Sequence, residues 1–129
     1  MARILIVDDE PSILSFVQKA MRIAGHQTET ASNAKAALAA CDAKGLPDLL
    51  LTDYKMPEMD GDVLAAQLRQ REPDLKVLYL TGYADQLFNQ RGNLWRSEAF
   101  LEKPCTVQGL LEAVSMMLSG QYDDYQDRV

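Results

Sequence analysis

Cysteine, histidine and tryptophan are scarce in this chain: two, one and one among 129 residues. Cys41 and Cys105 stand far apart and in no metal-ligand spacing. That argues against a disulfide-stapled scaffold and a thiolate metal centre, and leaves two reduced residues of ordinary size. His26 has no second imidazole or thiol near it in sequence, so it reads as an exposed neutral residue between a helix and a strand, not as a ligand or a phosphodonor. No apolar run approaches the roughly 20 residues needed to cross a bilayer, so no membrane insertion is expected. Met1 leads within three residues into a strand-like segment instead of a leader, so the expected compartment is the cytoplasm. Basic residues are outnumbered 13 to 19, for a net charge of -6, and no basic stripe breaks that balance, which opposes direct nucleic-acid binding. No internal repeat stands out, and the length suits one domain.

What is present is a repeated grammar of apolar run, polar turn and helix. Arg3 to Val7 is short, nearly all apolar and rich in β-branched residues, as expected of a strand buried on both faces; it stops at Asp8 and Asp9. From Pro11, the residues Ile13, Phe16, Val17, Ala20, Met21 and Ala24 form a helical stripe that Gly25 ends. A weaker strand over Gln27 to Ala31 precedes a second helix, with Ser32 as its expected N-cap and Ala34, Ala37, Leu38 and Cys41 on one face. Leu49 to Thr52 ends in Asp53 and is followed by a loop with Pro57 and Asp60-Gly61, then by a helix carrying Leu64 and Leu68. Val77 to Leu80 ends at Thr81-Gly82, and Ala99 to Leu101 ends at Lys103-Pro104. Thr106 caps a last helix with Val107, Leu110, Leu111, Val114 and Leu118 inward, Met116 and Met117 serving as packing. Between these, Ala84 to Glu98 carries a short fourth helical pattern interrupted by Gly92, with Leu94 and Trp95 either core or partner-facing. Five strands alternating with helices imply right-handed crossovers and a doubly wound parallel α/β sheet with helices on both faces. The domain spans 1–118, and 119–129 reads as a flexible acidic tail or the start of a linker.

In an open parallel sheet, ligands bind beyond the carboxyl ends of the strands. Four of the five strands here end in a polar group: Asp8 and Asp9, Asp53, Thr81, and Lys103. Singly, each has an ordinary explanation, as a helix-terminus charge or a turn residue. Jointly, three carboxylates in one pocket would repel and raise one another's pKa unless a cation intervened. Oxygen donors alone point to Mg²⁺ or a similar hard ion. The Lys103 amine and the Thr81 hydroxyl complete a cradle for a phosphoryl group, with Asp53 as the nucleophile.

These residues, in VDDE, LLLTDYKMPEMDG, YLTGY and FLEKP, resemble the receiver domains of two-component response regulators over essentially residues 3 to 118, at spacings the family shares. The resemblance implies phosphorylation of Asp53 by a histidine kinase or phosphotransfer protein. It implies Mg²⁺ held by Asp8, Asp9, Asp53 and the Lys55 backbone carbonyl, and strand order 2-1-3-4-5. It further implies a switch in which Thr81 turns toward the phosphoryl group and Phe100 moves inward. The face built from the fourth helix, fifth strand and last helix would then report to a downstream protein or an output domain, and a phosphorylation-dependent dimer is compatible with it. Cys105 and Lys55 depart from common family choices. Tyr83 and Lys55, each two residues beyond a pocket residue, are expected at the rim, where Tyr83 would slow hydrolysis by obstructing the attacking water.

Two rival functions follow from the same residues. A haloacid-dehalogenase-type phosphatase also uses an aspartyl nucleophile, Mg²⁺, Thr and Lys, but needs a general acid two residues after the nucleophile, where this chain has Lys55. A flavodoxin-like carrier needs a hydroxyl- or glycine-rich loop after the first strand, where Asp8, Asp9 and Glu10 would repel a flavin phosphate.

Overall fold

The computed structural model describes residues 2–82 and 97–120. Along the chain these form β1 (Arg3–Val7), α1 (Pro11–Ile23), β2 (Gln27–Ala31), α2 (Ala34–Lys44), β3 (Leu49–Thr52), α3 (Gly61–Arg69), β4 (Lys76–Thr81), β5 (Glu98–Glu102) and α4 (Val107–Ser119). The expected helix within Ala84 to Glu98, with Leu94 and Trp95, falls largely on residues 83–96, outside the described residues; so do 121–129 of the expected tail.

The strands pair in parallel in the order β2-β1-β3-β4-β5. The apolar runs of β1, β3 and β4 are continuous because both faces are covered, and the two-residue period of a strand then divides them between two cores. Leu5, Val7, Leu50, Val77 and Tyr79 face one side, with Ala34, Ala37 and Cys41 of α2 and Leu64, Ala65 and Leu68 of α3. Ile4, Ile6, Leu49, Leu51, Leu78 and Leu80 face the other, with Val17, Ala20 and Met21 of α1 and Leu110, Val114 and Met117 of α4.

Several local expectations are corrected. Asn33, not Ser32, caps α2: its side chain accepts from the Ala36 N–H at 2.7 Å, and the neighbouring position has no such geometry to offer once Asn33 is the extended residue. Val107 is 41% exposed, because as the first residue of α4 it precedes the turn that meets the sheet; Met117 takes an inward place instead. Ala24 is exposed as the cap of α1, which ends where Gly25 adopts a φ of 88°. His26 is half-buried and its Nδ1 accepts a hydrogen bond from the Ala2 N–H at 3.2 Å. β4 and β5 each run one residue further at both ends than their apolar cores suggest.

Candidate functional site

The carboxyl ends of β1, β3, β4 and β5 lie side by side, and the ladder continues one residue past three of them. The Asp8 N–H donates to the Ala31 carbonyl and the Asp53 N–H to the Val7 carbonyl, at 3.1 and 2.9 Å. Beyond β5, the Lys103 N–H donates to the carbonyl of Thr81, the last residue of β4, at 2.8 Å. Backbone bonds therefore bring Asp8, Asp53, Thr81 and Lys103 to one rim.

Carboxylate oxygens of Asp8, Asp9 and Asp53 lie within 4.8 Å of one another. Asp8 and Asp53 are buried and Asp9 is exposed. Asp8 is oriented through both oxygens: Oδ1 accepts from the Glu10 N–H at 2.9 Å, and Oδ2 from Lys103 Nζ at 3.0 Å. The same ammonium stands 3.4 Å from Asp53 Oδ2. Burial is the main force on these groups. It pushes the Asp53 carboxyl up to about 6, reinforced by the Asp8 charge and opposed by Lys103. It raises Asp8 as well, against the Glu10 N–H and Lys103. Burial alone would lower Lys103, but the Asp8 hydrogen bond and the Asp53 and Asp8 charges outweigh it, and its pKa is raised. Three hard oxygen donors at this separation, with a low-dielectric floor, suit a small divalent cation.

Thr81 is fully buried at the end of β4. Phe100, on β5 opposite Tyr79, is partly buried against the α2 and α3 side of the sheet. Lys55 does not reach the carboxylate cluster: its ammonium pairs with Asp60 Oδ2 at 3.5 Å and lies 5.7 Å from the centre of the Tyr54 ring. Tyr83 lies outside the described residues.

Some neighbours have no signature in the apolar pattern. A Cβ on Gly61 would stand 2.2 Å from the Asp53 carbonyl oxygen, so the start of α3 abuts the backbone of Asp53 only because that residue is glycine. The Gly61 N–H also donates to the Tyr54 carbonyl at 2.7 Å. The Tyr54 ring meets Tyr79 edge to face at 5.9 Å. Buried Glu98 accepts from the Tyr79 hydroxyl at 2.9 Å and from Arg69 Nη1 at 2.6 Å. The hints available in sequence were the Asp60-Gly61 pair and a glutamate beside an apolar strand, and both read equally well as loop and solvent.

The response regulator receiver domain model matches residues 4–115. The chain is 34% identical to the response regulator receiver protein CpdR of Brucella abortus, over 92% of this chain and 98% of that one. It is 32% identical to the sensor kinase CckA of the same organism, over 93% of this chain but 13% of the kinase. It is 34% identical to the DNA-binding transcriptional regulator NtrC of Salmonella typhimurium, over 95% of this chain and 26% of that protein. It thus spans nearly all of one relative and a minor part of the others. Among solved structures, the response regulator TrrA of Thermotoga maritima, in complex with Mg²⁺-BeF, superposes with a TM-score of 0.77 at 31% identity, over 92% of this chain and all of that one. A CheY-like receiver domain protein from Methanospirillum hungatei gives 0.78 at 28% identity, over 96% and 98%. Sheet order, the carboxylate cluster beside a lysine, and the extent of the match together make this chain a member of the response-regulator receiver family of two-component signalling.

Proposed function

We propose that Asp53 is the phosphoacceptor, loaded by a histidine kinase or phosphotransfer protein in the presence of Mg²⁺. The observation that carries this reading is the packing of Asp8, Asp9 and Asp53 oxygens within 4.8 Å of one another beside the Lys103 ammonium. The Asp53 carboxylate attacks phosphorus, an O–P bond forms as the donor's N–P bond breaks, and the electron pair returns to the donor imidazole, which takes up a proton. Lys103 offsets negative charge on the transferring oxygens, while Asp8, Asp9, Asp53 and the Lys55 carbonyl are the residues that would hold Mg²⁺. The ion, when bound, supplies charge neutralisation to the carboxylates and the phosphoryl oxygens alike. The chain is regulatory in this reading: its own chemistry is limited to accepting a phosphoryl group and losing it to water. The haloacid-dehalogenase alternative lacks support, since Lys55 stands where the general acid is required.

Thr81 and Phe100 are the proposed switch, and the face formed by the fourth expected helix, β5 and α4 is the proposed output surface, toward a protein partner or an attached domain. TrrA in its Mg²⁺-BeF complex supports the ion. The match to CckA supports a place in a kinase-linked phosphorelay.

Incubation with a small phosphodonor and Mg²⁺ is expected to add one phosphoryl group, read by intact-mass spectrometry. Asp53→Asn should abolish it, and chelation of the metal should suppress it. Undiminished labelling of Asp53→Asn would overturn the assignment.

A further inference from the structure

We propose that Asp60 is a positioning residue that aims the Lys55 carbonyl at the metal; this rests on the reading of the pocket given above. An aspartate directly before a helix ordinarily caps it, accepting from an N–H of the first turn. Asp60 occupies that place before α3, yet its side chain makes no cap hydrogen bond. Both oxygens turn back into the preceding loop instead. Oδ1 accepts from the Met56 N–H at 3.2 Å, and Oδ2 pairs with Lys55 Nζ at 3.5 Å.

The Met56 N–H and the Lys55 carbonyl belong to one peptide group. The cis bond among the described residues is Lys103-Pro104, so the Lys55–Met56 peptide is trans, and its N–H and C=O point in opposite directions. Fixing the N–H on Asp60 therefore turns the Lys55 oxygen away from Asp60. A carboxylate acceptor also polarises the peptide and makes that oxygen a better donor to a cation. The rest of the loop is tied down so that this orientation persists. The Gly61 N–H closes the neck on the Tyr54 carbonyl, the Met59 N–H bonds the Pro57 carbonyl at 2.8 Å, and Glu58 takes up the turn with a φ of 71°. The Lys55–Asp60 ion pair is a lesser part, because both side chains are about a third exposed, at 38% and 33%, where ion pairs contribute little.

The test is Mg²⁺ affinity by isothermal titration calorimetry on the full chain, with the metal-free melting temperature measured alongside. Asp60→Ala is expected to weaken Mg²⁺ binding about 10-fold, in line with the loss of a group that orients a metal ligand. Asp60→Asn keeps a carbonyl oxygen for the Met56 N–H and should stay within about 3-fold of the parent. Asp60→Ser can cap α3 but is too short to reach Met56, and it should weaken Mg²⁺ as Ala does, which covers the case in which the alanine chain does not fold. The proposal is overturned if Asp60→Ala and Asp60→Ser bind like the parent while melting lower, since Asp60 then serves the fold alone. It is also overturned if Asp60→Asn loses as much affinity as Asp60→Ala, since charge at a distance then accounts for the effect. A parent chain that binds no Mg²⁺, or an Asp53→Asn chain that binds it unchanged, overturns the pocket reading itself and is distinguished by that control.

Discussion

Asp53 is held in an environment that works against its own ionisation. Burial and the Asp8 charge push its carboxyl up to about 6, against an ordinary value near 4. Between those two values the folded chain binds more protons than the unfolded chain. The contribution of this group to stability is therefore fully present below about pH 4 and is lost as the pH rises through 6. Asp53→Asn removes the penalty, and in metal-free buffer at pH 7.5 it should be the more stable protein by on the order of 1 kcal/mol. The gain should fade toward zero below pH 4, as followed by thermal denaturation across the range. A variant that melts lower than the parent at pH 7.5 would show that losing the Lys103 contact outweighs relief of the buried charge. The residues that converge here were legible in sequence because each closes an apolar run, and a parallel sheet gathers such ends. The duties of Asp60 and Gly61 were not legible, since they depend on which way one loop peptide faces and on how near a helix start comes to the backbone of Asp53.

Among the elements, α3, β4 and β5 are joined by a polar cluster inside an otherwise apolar layer. Glu98 is 1% exposed and bonds Arg69 and the Tyr79 hydroxyl, while Arg69 also reaches the Leu75 carbonyl at 3.0 Å. Removing one partner of a buried pair leaves the other charge without a counterion, so Glu98→Ala is expected to cost roughly 3 kcal/mol. Arg69→Ala combined with Glu98→Ala should cost less than the two single losses added together. Urea unfolding of the four chains measures this, and strictly additive losses would show that the pair is not coupled. Strand and helix order was readable from periodicity and turn residues, as β2 over Gln27–Ala31 illustrates. The reading stopped short at β5 because a glutamate at a strand edge reads as solvent-facing, and nothing in the apolar pattern reveals that Arg69 and Tyr79 await it.

At the scale of the whole molecule, any ligand that binds the folded pocket and not the unfolded chain raises stability by mass action. At a Mg²⁺ concentration ten times its Kd this amounts to about 1.4 kcal/mol, or a few degrees in Tm. The parent should show that rise, and Asp8→Asn or Asp53→Asn should show little of it. Equal rises in all three would mark a general salt effect and remove the support for a site. No helix among the described residues is long and apolar enough to cross a membrane.

The hydrogen bond from Lys103 to Asp8 joins residues 95 positions apart, almost the two ends of the folded unit. A ribosome has therefore released most of the chain before the ammonium that tames these carboxylates exists. Until β5 adds to the sheet edge, a nascent chain carries its acids uncompensated and repelling. The charge balance of this pocket thus hangs on a contact of high sequence separation, the kind whose loop-closure entropy must be met before the contact rewards it.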